Sequence, residues 1–222
     1  MLGLRNRSKK YLYLIYGFGE TGKACFNYLK KKNKVLIFDD NQKKIPKKFN
    51  NFKFNILKNN IKKEIDFVII SPGINAKKCE LKKFLKLNKQ KIITDLDIFY
   101  LENIHNTKIT ITGTNGKSTT AKLLYEVLKN QNKDVRLVGN IGKPVLLEKN
   151  INKNTIFVIE ASSYQIEYSR YFKTDHAMIL NISPDHLERH QNIYNYVNAK
   201  FKLILRQDSK GYAYVNKKNK YL

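Results

Sequence analysis

The stretch KITITGTNGKST, residues 108–119, decides the fold of this chain. An apolar run leads into a turn containing Gly113 and Gly116, and a helical pattern follows that turn. The familiar phosphate-binding loop, G-x-x-x-x-G-K-[ST], would place its first glycine at position 111, where Ile111 stands. The backbone N–H groups of a glycine turn and of a helix N-terminus suit nucleotide phosphates. The stretch therefore predicts a shortened phosphate-binding loop, in which Lys117 reaches the outer phosphates.

Short apolar runs alternate with longer amphipathic segments on both sides of this loop. We expect buried parallel strands at 11–17, 34–40, 66–73, 91–94, 108–113, 135–139, 155–162 and 176–183. We expect helices at 20–33, Thr119–Gln131 and Ile193–Leu205. The alternation predicts an α/β architecture with parallel sheets. Because a second strand–glycine-loop–helix unit starts near residue 100, we predict two domains, 1–100 and 101–222.

The composition narrows the class of protein. A formal charge of +25 suggests nucleic-acid binding, but the lysines are spread along the whole chain together with Asn and Ile. We therefore expect no specific nucleic-acid partner. Two cysteines, Cys25 and Cys79, are too few for a disulfide framework and suggest a reducing compartment. No stretch reaches the roughly 18 apolar residues of a membrane span, so we expect a cytoplasmic protein without membrane attachment.

A second glycine pattern lies near the start of the chain. In YGFGETGKA the spacing Gly17-x-Gly19-x-x-Gly22 follows a predicted strand, and Asp39 comes at the end of the next strand. This matches the dinucleotide-binding fingerprint and would predict an NAD-dependent oxidoreductase. Glycines are also favoured in any turn from strand to helix, where the helix N-terminus can bind another phosphorylated ligand. The pattern alone leaves both interpretations open.

The longer loop sequence, GTNGKSTT (113–120), resembles the ATP loop of the Mur ligases, the ATP-dependent amide-forming enzymes of peptidoglycan synthesis. Six further segments resemble motifs of that family and occur along the chain in the same order as in the family. These segments are SPGI (71–74), TDLDIF (94–99), GNIGKP (139–144), IEASSYQIE (159–167), NISPDHLERH (181–190) and YNYVNAKFKLI (194–204). The resemblance covers nearly the whole chain. Within the family, the segments look most like the member that joins D-glutamate to UDP-N-acetylmuramoyl-L-alanine.

This resemblance implies a Rossmann-like N-terminal parallel sheet, followed by an incomplete P-loop-type α/β ATPase domain. The first domain would hold the UDP part of the substrate rather than NAD. The residues implied for that contact are Gly17, Gly19, Thr21, Gly22, Asp39, Ser71, Pro72 and Gly73. A strand-end aspartate can also serve only as a turn residue, and that alternative stays open for Asp39.

The resemblance also implies ATP and Mg²⁺ at the second loop. The ATP-binding residues would be Gly113, Thr114, Asn115, Gly116, Lys117, Ser118 and Thr119. The implied catalytic residues are Lys117, Glu160, His186 and Lys200. The implied metal ligands are Ser118, Glu160, His186 and Lys200, the last as a carbamate.

The resemblance implies four further substrate contacts: three residues would contact the muramoyl or alanyl part, and Asn140 would contact the reacting carboxylate or phosphate. The three are Ser162, Ser163 and Gln165. The alternative is a polar loop that satisfies its own backbone. His190, one helical turn after His186, matches no catalytic position.

The resemblance predicts that the chain is incomplete. The family has three domains, and residue 222 falls inside the expected central one. The C-terminal domain, which closes over ATP and carries most D-glutamate contacts, would then be absent, and the chain alone would be a fragment or an inactive product. We further expect a monomer. The alternatives are an NAD-dependent oxidoreductase or another ligase of the Mur or folylpolyglutamate type.

Overall fold

The computed structural model describes residues 10–54, 62 and 64–222, so part of the lysine- and asparagine-rich stretch at 41–64 lies outside the described residues. The chain forms two compact units. Unit 1 comprises Met1–Leu101 and Tyr168–Tyr171, and unit 2 comprises Glu102–Glu167 and Phe172–Leu222. Each unit contains its own parallel sheet, which confirms the predicted α/β architecture.

The sheet of unit 1 has four parallel strands in the order β2-β1-β3-β4. These strands are β1 (Leu12–Tyr16), β2 (Lys34–Phe38), β3 (Phe67–Ile70) and β4 (Ile92–Ile93). The helices of this half are α1 (Glu20–Leu29), α2 (Lys82–Leu87) and α3 (Asp95–Glu102). Short 3₁₀ helices lie at Gln42–Lys44, Lys47–Phe52 and Lys89–Lys91.

The strands of unit 1 are continuous apolar runs because helices cover a parallel sheet on both faces. Leu14 and Ile15 are neighbours in β1, their side chains point to opposite faces, and both are fully buried. Each such side chain contributes about 1.5–3 kcal/mol through burial. Helix α1 presents Phe26 and Leu29 to the core, while Lys23 and Asn27 stay exposed.

The sheet of unit 2 has five parallel strands in the order β6-β7-β5-β8-β9. The strands are β5 (Lys108–Thr112), β6 (Val135–Gly139), β7 (Ile156–Glu160), β8 (His176–Ile179) and β9 (Tyr212–Val215). The helices are α4 (Lys117–Asn130), α5 (Ser163–Tyr168), α6 (Leu187–His190) and α7 (Ile193–Leu205), and a 3₁₀ helix lies at Val145–Leu147.

The position of β5 determines where a ligand can bind in unit 2. This strand is central, with β7 on one side and β8 on the other. The loops that follow β5 and β7 therefore leave the same edge of the sheet, at the carboxyl ends of its strands. In open α/β sheets that edge is the crevice where ligands bind.

The predicted strands are found, although several end earlier than expected because the following residues form loops. Strand β9 was not predicted, and all four of its side chains are exposed. No helix within the described ranges is long and apolar enough to cross a membrane.

Candidate active site

The phosphate-loop sequence forms a turn between β5 and α4. Gly116 caps α4 with φ of +81°, a left-handed conformation that glycine adopts without steric cost. The loop is braced by Asn181, which follows β8. Its side-chain oxygen accepts from the backbone N–H of Asn115 at 2.9 Å and of Thr114 at 3.2 Å. The turn thus opens at the N-terminus of a 14-residue helix, whose free N–H groups and dipole favour an anion.

Glu160 lies at the end of β7, beside the start of α4. Its carboxylate accepts from the Ser118 hydroxyl at 2.7 Å and from the Asn140 side-chain amide at 2.9 Å. The backbone N–H of Asn140 also donates to the Glu160 carbonyl at 2.8 Å. Glu160 is only 1% exposed, so its charge is held in a largely dehydrated environment by two oriented donors. Three predicted site residues are therefore brought together.

Two lysines contact the loop from different directions. The amine of Lys117 donates to the Thr114 carbonyl at 2.7 Å. The amine of Lys200, on α7, donates to the Gly113 carbonyl at 2.9 Å and to the Thr112 hydroxyl at 3.3 Å. Burial lowers the pKa of Lys200 to about 7, and the charge of Lys117 contributes in the same direction. The structure therefore places Lys200 directly beneath the phosphate loop.

His186 adopts the left-handed conformation, with φ of +53°, and caps α6. Its ring is partly exposed and lies near two carboxylates, with Nε2 3.4 Å from Asp185 and Nδ1 3.8 Å from Glu188. The described residues show no group of three or more His, Cys, Asp or Glu side chains placed to hold a metal. Its role as a metal ligand stays a prediction.

The donor set around Glu160 fits a hard cation. Mg²⁺ prefers oxygen ligands, keeps several waters, and is usually bound by one or two carboxylates together with substrate phosphates. Ser118 and Glu160 supply a hydroxyl and a carboxylate oxygen at the helix N-terminus where phosphates would lie. Their role as metal ligands stays a prediction.

Ser162 and Gln165 form a capping box at the start of α5. The Gln165 side-chain oxygen accepts from the Ser162 N–H at 3.0 Å, and the Ser162 hydroxyl accepts from the Gln165 N–H at 3.3 Å. This reciprocal pair satisfies two backbone donors of the helix. The geometry is the one expected if Ser162 and Gln165 only satisfy the backbone of their own loop. A contact of these two residues with substrate stays a prediction.

Ser163 and His190 are both buried and touch each other. The Ser163 hydroxyl lies 3.0 Å from Nε2 of His190. Burial, aided by the positive charges of Arg189, Lys200 and His186, lowers the pKa of His190 to about 4. The ring is therefore neutral at pH 7.

In unit 1 the first glycine loop is held by its neighbours at the carboxyl ends of β1, β2 and β3. The Asp39 carboxylate accepts from the Phe18 N–H at 2.8 Å and from the Asn41 N–H at 2.9 Å. The Ser71 hydroxyl donates to the Gly17 carbonyl at 2.8 Å. Asp39 and Ser71 thus brace the loop, and their contacts with a uracil or a diphosphate stay predictions.

The glycines of this loop differ in what surrounds them. A Cβ at Gly22 would lie 2.1 Å from the Gly17 carbonyl oxygen, so that residue is required for close packing of helix on loop. A Cβ at Gly19 or Gly73 would meet nothing within 4 Å. Thr21, in the first turn of α1, is partly exposed, and Pro72 stands between Ser71 and Gly73. The open positions are where a ligand can approach the backbone.

Sequence patterns did not single out Asn181 and Tyr196. Tyr196 is 1% exposed, its hydroxyl lies 3.1 Å from the Thr114 hydroxyl, and the Lys200 amine lies 4.5 Å from its ring centre. Tyr196 precedes Lys200 by four residues, so both point from one face of α7. Asn181 follows a strand end, which is a signal that could have marked it.

Comparison with known proteins gives the class. The family described as Mur ligase middle domain matches residues 111–222, and that described as Mur ligase MurD-like, N-terminal domain, matches residues 11–93. The first match alone covers half of the chain. The chain therefore belongs to the Mur ligase family, and the oxidoreductase interpretation of its first glycine loop is not favoured.

Within the family, similar relatives share one name. The chain is 35% identical over 219 residues to the UDP-N-acetylmuramoylalanine–D-glutamate ligase of Rickettsia prowazekii, covering 97% of this chain and 48% of that protein. It is 36% identical over 220 residues to the same-named ligase of Caldicellulosiruptor saccharolyticus, covering 93% and 48%. The chain spans about half the length of the curated relatives it matches.

Solved structures agree on the fold. A UDP-N-acetylmuramate:L-alanyl-γ-D-glutamyl-meso-diaminopimelate ligase from Neisseria meningitides superposes with a TM-score of 0.58 at 16% identity, over 96% of this chain and 73% of that one. A UDP-N-acetylmuramate–alanine ligase from Thermotoga maritima gives 0.54 at 19% identity, over 96% and 50%. At these identities the likeness shows the fold alone.

Proposed function

We propose that this chain forms the UDP-substrate-binding and ATP-binding parts of a ligase that joins D-glutamate to UDP-N-acetylmuramoyl-L-alanine. Residues 1–100 would bind the UDP substrate, and residues 101–222 would bind ATP with Mg²⁺. The names of the similar relatives support the substrate pair. The observation that carries the proposal is the placement of Ser118 against Glu160 at the N-terminus of α4. The proposal includes a monomer with no nucleic-acid or membrane partner.

The proposed reaction has two steps. The terminal carboxylate of UDP-N-acetylmuramoyl-L-alanine attacks the γ-phosphorus of ATP, the bond to ADP breaks, and an acyl phosphate forms. The amine of D-glutamate then attacks the acyl carbon, an amide bond forms, and phosphate leaves as the amine loses a proton. Phosphoryl transfer needs positioning and charge stabilisation more than covalent help from the protein.

The residues of unit 2 match those needs. The N–H groups at the start of α4 and the amine of Lys117 would stabilise negative charge on the phosphoryl oxygens. Ser118 and Glu160 would hold Mg²⁺, which supplies further charge neutralisation when bound. Asn140 fixes one Glu160 oxygen and leaves the other facing Ser118. His186 and a carbamate on Lys200 would complete the site in this proposal.

Calorimetry on the chain as it stands tests both halves of the proposal. We expect binding of ATP that depends on Mg²⁺ and is lost in Lys117→Ala. Lys122→Ala, an exposed lysine on the same helix, is the matched control and should bind like the wild type. We also expect UDP-N-acetylmuramoyl-L-alanine to bind more tightly than UDP-N-acetylmuramate. Binding of NADH without binding of either UDP compound would overturn the assignment of unit 1.

A further inference from the structure

His190 is a polar side chain inside the protein that the proposed chemistry does not use. It is 2% exposed and is the last residue of α6. Its Nε2 atom lies 3.0 Å from the hydroxyl of Ser163, the first residue of α5 and itself 2% exposed. A buried imidazole nitrogen without a hydrogen bond would be costly, so this contact is a specific one.

The turn that carries His190 needs support from outside itself. Helix α6 has four residues and is flanked by His186 at φ +53° and Gln191 at φ +74°. Left-handed conformations at residues other than glycine are uncommon and persist when the surrounding structure determines them. The ring of His186, at one end of this turn, lies 4.9 Å from the ring of Tyr164 and 6.3 Å from that of Tyr196, so its position depends on how α6 is held against α5 and α7.

His190 makes several of those external contacts, and Arg189 adds others, lying 3.5 Å from the Glu167 carboxylate and over the ring of Tyr164. The His190 ring stacks on Tyr164 with centroids 5.5 Å apart and lies 5.3 Å from the ring of Tyr196. Its carbonyl accepts from the side-chain amide of Asn195 on α7 at 2.8 Å. One residue thus joins α6 to α5 and to α7.

We propose that His190 is a positioning residue: its bond to Ser163 docks the α6 turn on the start of α5 and so fixes the ring of His186 against Tyr164 and Tyr196. The consequence for catalysis rests on the proposed function, since it assumes that His186 acts at the metal site. The positioning itself is a property of the folded chain and can be measured without ligand.

The chain offers a direct readout, because it contains four histidines. Histidine labelled with ¹³C at Cε1 gives one ring signal for each in a ¹H–¹³C correlation spectrum. His190→Phe keeps a ring that can stack on Tyr164 and removes the bond to Ser163. Ser163→Ala removes the same bond from the other side with a minimal change in volume, and His190→Gln retains a hydrogen-bonding group near the Nε2 position.

We expect the His186 signal to shift or split in both His190→Phe and Ser163→Ala, and to return towards its wild-type position in His190→Gln. His105→Phe makes the same chemical change at an exposed site and should leave the His186 signal unchanged. A contact that serves only stability would lower the melting temperature without moving that signal. An unchanged His186 signal in folded Ser163→Ala overturns the proposal, even if His190→Phe does not fold.

A paramagnetic ion tests the metal role of His186 separately from its positioning by His190. Mn²⁺ with ADP should broaden the His186 signal of the wild-type chain if His186 lies at the metal site. Absence of broadening in the wild type counts against the proposed role of His186 at the metal. It does not affect the test of positioning, which depends only on whether the His186 signal moves in Ser163→Ala. Broadening in the wild type that is weaker in Ser163→Ala supports both, because the metal–ring distance would then depend on the bond to His190.

Discussion

The hydroxyl of Ser118 lies 2.7 Å from the carboxylate of Glu160, although the two residues are 42 positions apart in the chain. The contact joins the first turn of α4 to the end of β7, at the edge of the sheet where ligands bind. A hydroxyl and a carboxylate are thereby presented together to any cation that accompanies phosphates at the helix N-terminus.

Replacing Glu160 by Gln should therefore weaken Mg²⁺-dependent binding of ATP by about tenfold or more, because a charged oxygen ligand becomes a neutral amide. Binding of ATP in the presence of EDTA should change little. Calorimetry with and without Mg²⁺ measures both values. Glu126→Gln, an exposed change on α4, is the control, and equal loss in that variant would contradict the assignment.

Lys200 should react with CO₂ in the folded chain. Burial lowers the pKa of its amine to about 7, and carbamates form only from the neutral amine. The neutral fraction grows as the pH rises through that value, so the carbamate should increase between about pH 6 and 8. We expect a ¹³C carbamate signal after addition of ¹³C-bicarbonate, absent in Lys200→Ala and retained in Lys210→Ala, where an exposed lysine is removed. A signal that survives in Lys200→Ala would assign the reaction to another lysine.

Because of Asp95, the free energy of unfolding of unit 1 should be higher in mild acid than at neutral pH. Burial raises the pKa of its carboxyl from the ordinary 3.8 to about 6, and its Oδ1 has no hydrogen-bond partner among the described residues. The folded state then holds a proton that the unfolded state has lost, so the free energy of unfolding falls as pH rises from about 4 to 6. Asp95→Asn removes the buried charge and should raise that free energy at pH 8 by up to about 3 kcal/mol.

Urea unfolding at three pH values tests this expectation, with a contrasting substitution two residues away. The carboxylate of Asp97 accepts from the N–H groups of Arg170, Tyr171 and Thr94 at 2.6–2.8 Å. Asp97→Asn should therefore destabilise at the same pH at which Asp95→Asn stabilises. Destabilisation by both variants would show that the Asp95 charge has a compensating partner.

Substitutions at two glycines of the first glycine loop should distinguish an effect on packing from an effect on ligand binding. Gly22→Ala should lower the free energy of unfolding by about 1–3 kcal/mol, because its Cβ would lie 2.1 Å from the Gly17 carbonyl oxygen. Gly19→Ala should leave stability nearly unchanged, since its Cβ meets nothing within 4 Å. It should nevertheless weaken binding of UDP-N-acetylmuramoyl-L-alanine if phosphate approaches the loop there. Thermal unfolding and calorimetry on both variants would show whether the two effects separate.

The sequence predicted the first eight strands because each is a short, largely apolar run next to turn residues, as in TIFVIE before Ala161. It did not predict β9, whose four exposed residues show no buried face. The capping role of Ser162 and Gln165 can be predicted from sequence, because a serine followed three residues later by a glutamine is typical of a capping box. The contact between Ser163 and His190 was not, because 27 residues separate them and only the fold brings them together.

The central position of β5 also bears on how the chain folds. Its neighbours β7 and β8 follow it by long intervals, and the Asn181 side chain that braces the phosphate loop comes 66 residues after Asn115. Non-local contacts of this kind cost loop-closure entropy and slow folding. On the ribosome, the loop is made early but acquires its bracing contacts only after β8 has emerged. Substitutions that weaken β7 or β8 should therefore delay maturation of the nucleotide site as well as destabilise the sheet.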